Sequence, residues 1–289
     1  MQQVTVRVPA STSNLGPGFD CLGLALRIYN SVTLVRGGKH SSPRIVDEAA
    51  RLFFKRSGIK SFPFGYSINQ QVPRGRGLGG SATVRLGVLH GLNRLTANPF
   101  NRSSIFNLCA ELEGHPDNAA PSSFGGFTVV RGTNVQRFDV SRRLYFVLLI
   151  PELEVKTSLA RRILPVRVAR VGAIQTCASA CSVTAAFVSQ NYRSLRGGFD
   201  DHLHQPFRQK LIPFLPRVIA AAQDAGALGA FLSGSGSTLA AVTLRSPNKI
   251  GAAMLTASRL ENARVIVTTA DNRGTQVLKR RNSEFGIRN

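Results

Sequence analysis

The sequence predicts an α+β protein. Its 289 residues are enough for one large domain or two domains of ordinary size. With 43% hydrophobic and 18% charged residues, the chain has the composition of a globular protein rather than a disordered one. Segments with the twofold periodicity of strands and segments with helical periodicity both recur along the chain. Together these three observations indicate a core built from both helices and sheets.

The first half of the chain contains elements of both kinds. Strands are predicted at 4–8, 29–35, 63–72 and 127–130, and helices at 46–57, from Ser81 onward and at 104–112. Residues 9–20 are small and rich in glycine and serine, so we expect a loop there. The helix after Ser81 places Val84, Val88 and Leu92 on one face, which predicts that this face is buried.

The second half continues the mixture. Strands are predicted at 144–150 and 263–269, and helices from Thr157, at 171–190, at 217–225 and at 250–261. Thr157 is expected to cap its helix, because threonine side chains accept hydrogen bonds from first-turn amides. A second loop of glycine and serine, 233–237, follows a short strand, and its small residues would let it press against a triphosphate. The basic tail after Asn272 is expected to be loose.

The charge of the chain is strongly positive. Thirty-seven lysine and arginine residues against 15 acidic ones give a net charge of +22. Such a field attracts polyanions, including nucleic acids. However, the basic residues are scattered, and no Trp and only 4 Tyr leave little aromatic surface for stacking bases. We therefore favour a basic surface around a site for an anionic substrate, and expect no specific nucleic-acid partner.

Four cysteines, Cys21, Cys109, Cys177 and Cys181, are irregularly spaced and lack partners at zinc-site spacing. Buried, reduced thiols are the expected state. No apolar run is expected to approach the roughly 20 residues of a membrane span. The first residues resemble a strand rather than a signal peptide. The sequence thus predicts a cytoplasmic protein without a membrane partner.

A glycine-rich stretch at 72–95 is the strongest indication of a ligand. Gly75, Gly77, Gly79 and Gly80 lie between a predicted strand and a predicted helix. Glycine allows positive φ and close approach of a ligand to backbone amides. The start of a helix offers unpaired N–H groups and a positive dipole end to a phosphate. The stretch predicts a phosphate site, with a turn that binds nothing as the alternative.

Two other families of phosphate site do not fit this stretch. Gly75, Gly77 and Gly80 match the dinucleotide-binding spacing, which also needs an acidic residue about 20 positions later. No Asp or Glu occurs between Ser81 and Ala110. A P-loop closes with Gly-Lys-Ser or Gly-Lys-Thr, whereas no lysine precedes Ser81. Both alternatives are excluded.

Two polar clusters are further candidates. Asn14 and Asp20 flank a Gly-Pro-Gly turn and could hold an ammonium group, or could bond their own backbone. Within eight residues a second cluster contains Glu111, Glu113, His115, Asp117 and Asn118. A carboxylate there would suit Mg²⁺, which binds through one or two carboxylates and substrate phosphates. Since this cluster lies between an apolar helix and an apolar strand, we expect it to face inward.

Taken in order, these motifs resemble those of the GHMP kinases, and among them the homoserine kinases. The resemblance covers nearly the whole chain. Its segments are 9–20, 73–82, 113–118, 125–127, Thr157-x-x-x-Arg161-x-Ile-Leu-Pro, Pro206-x-Arg208 with Leu-Ile-Pro213, and 233–237. It implies a two-domain α+β GHMP-kinase fold, with an N-terminal nucleotide-binding domain at 1–150 and a ferredoxin-like C-terminal domain at 151–289.

The resemblance also implies an activity and its residues. The activity is ATP-dependent phosphorylation of the side-chain hydroxyl of L-homoserine to O-phospho-L-homoserine, a step in threonine synthesis. Asn14 and Asp20 would hold the amino end of the substrate, and Arg161 and Arg208 its carboxylate, with Thr157, His115 and Asn118 lining the pocket. The nucleotide phosphates would lie on Pro73, Arg74, Gly75, Arg76, Gly77, Leu78, Gly79, Gly80, Ser81 and Ala82. Ser81 and Glu113 would hold Mg²⁺, with Glu111 as the competing carboxylate. Ser81, Glu113, Asn118 and Arg161 form the implied catalytic set.

Asn118 occupies the position where other GHMP kinases have an aspartate base. An amide is a poor proton acceptor, so the resemblance implies direct attack of the hydroxyl on the γ-phosphoryl group. The chain departs from the family at Gly80, which replaces a serine, at Arg85, and in the segment 36–44, which is short and lacks an asparagine beside the adenine. We expect a homodimer. The alternatives are another GHMP small-molecule kinase and a non-catalytic family member that binds polyanions.

Overall fold

One long strand organises the first half of the molecule. In the computed structural model, which describes residues 2–38 and 43–278, strand β2 (Gly18–Arg36) pairs antiparallel with β1 (Gln3–Asn14) over most of its length. The next elements are α1 (Arg44–Ser57), β3 (Phe64–Gln70), α2 (Gly80–Leu95), α3 (Arg102–Glu113), α4 (Ala119–Phe124), β4 (Phe127–Arg131) and β5 (Asn134–Phe138). The predicted helices and the strands β3 and β4 are confirmed to within a few residues. Strands β1 and β2 are much longer than the predicted 4–8 and 29–35, and α4 and β5 were not predicted.

The second half is built around a four-stranded sheet. Its elements are β6 (Tyr145–Pro151), α5 (Thr157–Arg162), α6 (Arg170–Val188), α7 (Gln205–Arg208), α8 (Leu215–Asp224), β7 (Gly229–Leu232), β8 (Leu239–Thr243), α9 (Pro247–Ser258), β9 (Ala263–Thr269) and β10 (Gln276–Leu278). Four of the strands form an antiparallel sheet in the order β7-β8-β6-β9. This order is that of a ferredoxin-like domain. The α+β class and the ferredoxin-like second half are confirmed.

The other six strands form the first sheet, in the order β10-β1-β2-β4-β5, with β3 paired to the second half of β2. The strands of each sheet can be compared with the predicted domain boundary at residue 150. Strand β6 spans that residue and belongs wholly to the second sheet, whereas β10 returns to the first sheet beside β1. The division into 1–150 and 151–289 stays a prediction.

The first two strands form a hairpin where a loop was predicted. Strand β1 continues to Asn14, and cross-strand pairs extend to Ser13 opposite Gly23. The turn is confined to residues 15–17, where Leu15 and Gly16 have φ values of 44° and 75°. The loop prediction for 9–20 was wrong because both faces of this strand segment are buried. A strand buried on both faces loses the alternation by which strands are recognised.

A core shared by both sheets fixes their relative position. Leu24 and Phe127 enter it from the first sheet, and Phe146 and Phe231 enter it from the second. The ring of Phe187 from α6 stacks on Phe127 with centroids 4.4 Å apart. Helices α1 to α4 cover the outer face of the first sheet, and α8 and α9 cover that of the second. Loops from both sheets therefore meet at one edge of the shared core.

The end of the described chain is more ordered than predicted. Strand β10 pairs with β1, with Thr5 opposite Leu278 and Arg7 opposite Gln276. The expectation of a loose tail after Asn272 is wrong for this strand, because its backbone groups extend an existing sheet edge. The rest of the predicted tail, 279–289, lies outside the described residues.

Helix α6 departs from two expectations. By length and composition it is long and apolar enough to cross a membrane, so the expectation that no run approaches that length was wrong. Only 22% of the apolar window is buried, and a single helix of this kind is weak evidence for a membrane span. Cys177 and Cys181 on this helix are exposed, contrary to the prediction of buried thiols, whereas Cys109 is buried and Cys21 is half-buried.

Candidate active site

Loops from both sheets enclose a cavity of about 360 Å³. Its walls come from the β1–β2 turn, the glycine loop before α2, the turn between α3 and α4, the start of α5, α7, and the loop between β7 and β8. The structure brings all the predicted substrate-binding and catalytic side chains to this cavity: Asn14, Asp20, Ser81, Glu113, His115, Asn118, Thr157, Arg161 and Arg208. Their individual roles stay predictions.

The glycine loop has the backbone conformation that its composition predicts. Gly75, Gly77 and Gly79 have φ values of 62°, 70° and 67°, a region that favours glycine. Helix α2, which has 16 residues, begins directly after Gly79, and its first turn opens onto the cavity. Unpaired amides and the positive end of the helix dipole therefore face the cavity, as a phosphate requires.

The ten residues predicted to hold the nucleotide are not equivalent. Six of them line the cavity: Gly75, Arg76, Gly77, Gly79, Gly80 and Ser81. The side chains of Leu78 and Ala82 are buried in the core, and Pro73 and Arg74 line a neighbouring groove. For Leu78 and Ala82, only backbone groups remain candidates for contact with a phosphate.

The second glycine-serine loop, 233–237, packs directly against the first loop. Ser233 donates a hydrogen bond from Oγ to the carbonyl of Gly77 at 2.6 Å. A Cβ atom on Gly77 would collide with the Ser233 carbonyl, so the two backbones meet without a side chain between them. We expected this loop to press on a triphosphate. Its main contact is instead with the first loop, and only Gly234 and Ser235 also line the cavity.

Ser81 and Glu113 form the pair predicted to hold a metal. Ser81 Oγ donates to Glu113 Oε2 at 2.7 Å. Glu111 lies outside the cavity, where it makes an exposed ion pair with Arg56 at 2.9 Å. No cluster of three or more His, Cys, Asp or Glu side chains with metal-binding geometry occurs in the part of the chain that the structure describes. A cation here would thus have one carboxylate and one hydroxyl from the protein, which suits Mg²⁺ carried by phosphates.

Asn118 is held by two serines of strand β1. Its Oδ1 accepts from Ser11 Oγ at 2.9 Å, and its Nδ2 donates to Ser13 Oγ at 2.9 Å. These partners fix the orientation of the amide without any cationic or basic group. The buried serines were not singled out from the sequence, because they lie in the segment that was predicted to be a loop.

His115 and Asp117 support the same turn. His115 Nδ1 lies 3.2 Å from Asp117 Oδ1, and this hydrogen bond raises the pKa of His115 although burial opposes it. Burial alone would raise the pKa of Asp117, but the hydrogen bond from His115 and other nearby donors and charges lower it overall. Asp117 also accepts the backbone N–H of Asn118 at 3.1 Å. An ionised Asp117 therefore orients the start of α4.

Asp20 and Arg161 form a salt bridge with each other. Arg161 Nη1 and Nη2 donate to the two Asp20 oxygens at 2.9 and 2.6 Å, a bidentate pair that raises the pKa of Arg161. The sequence had predicted that these residues hold opposite ends of a substrate. The Nε atom of Arg161 is buried and has no hydrogen-bond partner within the described chain.

Asn14 and Thr157 are placed less simply than predicted. Asn14 Oδ1 accepts the backbone N–H of Asp20 at 3.1 Å, and Asn14 Nδ2 donates to the Gly234 carbonyl at 3.1 Å. Asn14 thus shapes the turn, and Oδ1 keeps one further acceptor position. Thr157 is not a helix cap, since Lys156 occupies that position and makes no side-chain capping bond. The Thr157 hydroxyl instead lies 3.4 Å from Ser235 Oγ.

Arg208 is buried, with an exposed fraction of 2%. It donates to the carbonyls of Ala160 and Gly234 at 3.1 and 2.9 Å. Burial lowers its pKa to about 10, so the guanidinium remains charged at neutral pH. The ring of Phe19 contacts two of the cations that line the cavity, with its centroid 5.3 Å from Arg208 and 5.5 Å from Arg161. Phe19 was not predicted as a site residue.

His204 was missed by the sequence analysis, which gave no role to either histidine of its segment. It is fully buried, whereas His202 is exposed. Its Nε2 atom lies 2.7 Å from the Gly16 carbonyl, and its Nδ1 atom lies 3.3 Å from Arg208 Nη1. Burial lowers the pKa of His204 to about 4. A neutral ring that donates to Gly16 and accepts from Arg208 fits these contacts. The sequence feature that could have indicated His204 is its spacing of four residues from Arg208, which places the two side chains on one face of a helix.

Mild acid is expected to destabilise the fold through its buried histidines. The pKa of folded His204 is lowered to about 4, as is that of His90, again by burial. An unfolded histidine binds a proton below about pH 6.5. The unfolded state therefore binds more protons between about pH 6.5 and 4, and the free energy of unfolding falls as the pH falls through that window. Urea midpoints measured from pH 7 to 4.5 test this.

The controls for that experiment come from the same chain. His90→Leu is expected to flatten the pH profile, because it removes one buried group that titrates on unfolding. His202→Gln is expected to leave the profile unchanged, because His202 is exposed. A His90→Leu profile as steep as that of the wild type would contradict the assignment.

Comparison with known proteins agrees with this geometry. Residues 44–126 match the model of the GHMP kinases N terminal domain, and residues 183–258 match that of the GHMP kinases C terminal. The chain is 34% identical over 297 residues to the homoserine kinase of Halothermothrix orenii, covering 93% of this chain and 94% of that protein. The chain belongs to the GHMP kinase family. The predicted GHMP-kinase fold is confirmed, and membership of this kinase family implies ATP as the phosphoryl donor.

Two further GHMP kinases extend the comparison. The homoserine kinase of Clostridium botulinum is 30% identical over 294 residues, covering 96% of this chain and 99% of its own length. The crystal structure of homoserine kinase from Cytophaga hutchinsonii superposes with a TM-score of 0.87 and 28% identity, covering 96% of this chain and 98% of that one. The shortened segment 36–44, in which this GHMP kinase departs from the family pattern, includes 39–42, which lie outside the described residues.

Proposed function

We propose that this GHMP kinase transfers the γ-phosphoryl group of ATP to the side-chain hydroxyl of L-homoserine, giving O-phospho-L-homoserine and ADP. One observation carries the proposal: Asp20, Arg161 and Arg208 line the same cavity as the glycine loop. A carboxylate beside two guanidinium groups complements the ammonium and carboxylate of an α-amino acid. Mevalonate and galactose carry no ammonium group to pair with Asp20. The names of the relatives support the same substrate.

In this proposal Asp20, with Asn14, holds the amino end, and Arg161 and Arg208 hold the carboxylate. His115 and Thr157 line the remaining wall. The hydroxyl then lies at Asn118, whose amide is oriented by Ser11 and Ser13. This arrangement lowers the activation barrier of phosphoryl transfer by positioning the hydroxyl rather than by removing its proton.

The chemical step is an in-line displacement. The hydroxyl oxygen forms a bond to the γ-phosphorus while the bond from that phosphorus to the β–γ bridging oxygen breaks, and ADP leaves with the bonding electrons. The hydroxyl proton passes to an oxygen of the transferred phosphoryl group, since an amide at Asn118 is too weak a base to take it. The amides of the glycine loop and the start of α2 stabilise the phosphate charge.

We propose Ser81 Oγ and Glu113 Oε2 as the protein ligands of Mg²⁺. These two oxygens lie 2.7 Å apart at the start of α2. Mg²⁺ commonly uses one or two carboxylates and takes its other ligands from phosphates and water, so the donor set fits. When bound, the ion would neutralise charge on the nucleotide phosphates.

Asn118→Ala is expected to lower kcat for L-homoserine by about 100-fold, because one positioning hydrogen bond to the reacting group is lost. The KM for ATP should change little, since the Asn118 side chain bonds Ser11 and Ser13 of β1 rather than the amides of the glycine loop. Steady-state kinetics with both substrates varied measure the effect. If only the KM for L-homoserine rose and kcat were kept, the placement of the hydroxyl at Asn118 would be wrong.

The proposed function is tested by ADP release with ATP and Mg²⁺ on L-homoserine, with mevalonate, galactose and L-threonine assayed beside it. Turnover confined to L-homoserine is the expected result. Turnover on mevalonate or galactose instead would favour another GHMP small-molecule kinase. Absence of turnover on all four by a folded protein would overturn the proposal.

One observation favours a second function, polyanion binding. A separate cavity of the second half is lined by Arg143, Arg193, Arg196 and Arg245, with no acidic side chain among its lining residues. The chain also has a net charge of +22. A steep loss of RNA affinity with rising salt, together with absent kinase activity, would favour this function over the kinase.

We also propose a cytoplasmic homodimer. Helix α6 exposes Val171 and Ile174, and Arg170 is its one charged residue. Two strongly positive copies could approach each other there with little charge repulsion. Light scattering coupled to gel filtration should give a dimer mass that Ile174→Asp reduces to that of a monomer. An unchanged mass for that variant would place the interface elsewhere.

A further inference from the structure

Arg85 lies on α2 directly behind the proposed metal ligands. Its Nη1 atom donates to Glu113 Oε1 at 2.6 Å, while Ser81 Oγ donates to Glu113 Oε2 at 2.7 Å. Ser81 and Arg85 are four residues apart and so share one face of the helix. Both oxygens of one carboxylate are therefore held by α2, one by a hydroxyl and the other by a guanidinium.

The surroundings make this ion pair strong. The exposed fractions of the Arg85 and Glu113 side chains are 14% and 8%. With little water between them, the two charges are weakly screened. Arg85 also lies 3.3 Å from Glu48 of α1, a more exposed contact. Arg85 itself does not line the cavity, so any effect on the substrates passes through Glu113.

The pair changes what Glu113 can offer to a cation. Oxygen Oε1 is engaged by the guanidinium, so Oε2, which accepts from the Ser81 hydroxyl, is the oxygen that a cation can share with Ser81. The charge of Arg85 also cancels that of Glu113, so a divalent ion beside the pair gains less electrostatic energy than it would beside a lone carboxylate. Glu111, which could have added charge, points away toward Arg56.

We propose that Arg85 is a positioning residue that sets the metal affinity of this kinase. It fixes Glu113 as a ligand with one available oxygen and cancels its charge, so that a divalent ion binds tightly only together with nucleotide phosphates. The inference rests on the proposed function, because it requires Glu113 to be the metal ligand. It also gives a physical role to Arg85, one of the positions at which this sequence departs from its family.

The test uses Mn²⁺ as a spectroscopic probe. Free Mn²⁺ is followed by electron paramagnetic resonance while the intact protein is titrated, with and without ADP. For the wild type, ADP is expected to tighten Mn²⁺ binding strongly. For Arg85→Met, the dissociation constant of Mn²⁺ without nucleotide is expected to fall at least about tenfold, because the positive charge that neutralises Glu113 is removed.

Two matched variants separate the contributions of Arg85. Glu48→Gln removes the second ion pair of Arg85 but leaves the pair with Glu113, so Mn²⁺ affinity should stay within about twofold of the wild type. Arg85→Lys keeps the charge and should keep the weak affinity. Arg85→Gln serves in place of Arg85→Met if thermal unfolding shows that the methionine variant does not fold.

Glu113→Gln distinguishes the two hypotheses. If it leaves Mn²⁺ binding in the presence of ADP unchanged, Glu113 is not a metal ligand and that part of the proposed function fails. If it weakens Mn²⁺ binding while Arg85→Met and Arg85→Gln leave the affinity unchanged or lower, the inference about Arg85 is overturned and the metal site stands.

Discussion

Arg161→Met is expected to lower kcat/KM for L-homoserine by about 1,000-fold. The substitution removes a guanidinium that bonds both oxygens of Asp20 at 2.9 and 2.6 Å and that lines the cavity. It also leaves the Asp20 carboxylate unpaired beside the proposed position of the substrate carboxylate. Truncating one partner of a charge pair costs about 2–5 kcal/mol, and about 4 kcal/mol corresponds to this loss of rate.

Arg162→Met is the matched control for that prediction. Arg162 is the next residue of α5, has the same charge and is exposed outside the cavity. Its substitution should leave kcat/KM within about twofold, as is usual for an isolated surface charge. The KM for ATP should be nearly constant in both variants. Equal kinetic losses for Arg161→Met and Arg162→Met would indicate a general effect of charge. They would contradict the proposal that Arg161 holds the substrate carboxylate.

A double-mutant cycle then separates binding from mutual support. Because Asp20 and Arg161 contact each other, the effects of Asp20→Asn and Arg161→Met on kcat/KM should not add. The double variant loses the charges of both Asp20 and Arg161, so neither charge is left without its partner. It should therefore be less impaired than the product of the two single losses, while its unfolding midpoint stays close to that of the wild type.

The elements of the fold were predictable where residue pattern and burial coincide. Helix α1 has an apolar face and a polar face, and strand β6 is an apolar run, so local pattern was sufficient for both. Strand β1 was lost beyond Val8, because small residues buried on both faces show no alternation. Strand β10 depends on a partner some 270 residues away, which a local pattern does not contain.

The candidate site was predictable as a set of residues but not as a set of contacts. Motif order indicated which side chains meet. The predicted substrate-binding and catalytic residues all line one cavity, whereas Pro73, Arg74, Leu78 and Ala82 of the nucleotide set do not. Which ones bond each other depends on geometry after folding: Asp20 pairs with Arg161, and Glu113 with Arg85. His204 illustrates the limit, since a lone histidine becomes significant only when the fold buries it against Gly16.

Arg85 had no physical explanation in the sequence, where a charged residue interrupts an apolar helix near a phosphate loop. The structure supplies one, because Glu113 from the next helix lies within 2.6 Å of it. A charge on an otherwise buried helix thus needs a partner elsewhere in the chain. From the sequence alone, Arg85 is expected to need an acidic partner, but the partner cannot be chosen among several carboxylates, which include Glu48, Glu111 and Glu113.

The adjacent glycines Gly79 and Gly80 should respond to the same substitution in opposite directions. Gly79 has a φ of 67°, and a Cβ atom there would collide with Ser11 Oγ and lie 3.2 Å from Asn118 Oδ1. Gly79→Ser is therefore expected to displace the Ser11–Asn118 hydrogen bond and the start of α2 together. We expect kcat/KM for ATP to fall at least about 1,000-fold, since strained backbone, lost positioning and lost phosphate contacts combine.

Gly80 can accept a side chain if the Pro73 carbonyl shifts by a few tenths of an ångström. It is the first residue of α2, its φ is not positive, and a Cβ atom would lie 3.3 Å from the Pro73 carbonyl and 3.8 Å from Arg74 Cα. A serine there would offer a hydroxyl to the nucleotide phosphates beside the first-turn amides. A hydrogen bond to a charged group contributes about 1.5–3 kcal/mol, so Gly80→Ser is expected to lower the KM for ATP about tenfold. Replacing glycine in a helix should also raise the melting temperature slightly.

Kinetics and thermal unfolding of the two serine variants decide whether the loop binds phosphate through its backbone. Both variants add the same atoms one residue apart, so composition and net charge are matched. If Gly79→Ser retained wild-type kcat/KM for ATP, the start of α2 would not be the phosphate site. If Gly80→Ser raised the KM for ATP, the space beside Pro73 would be needed by the nucleotide itself, and the glycine would be part of the site. Opposite effects are expected because only Gly79 combines a positive φ with contact to the residue that positions the hydroxyl.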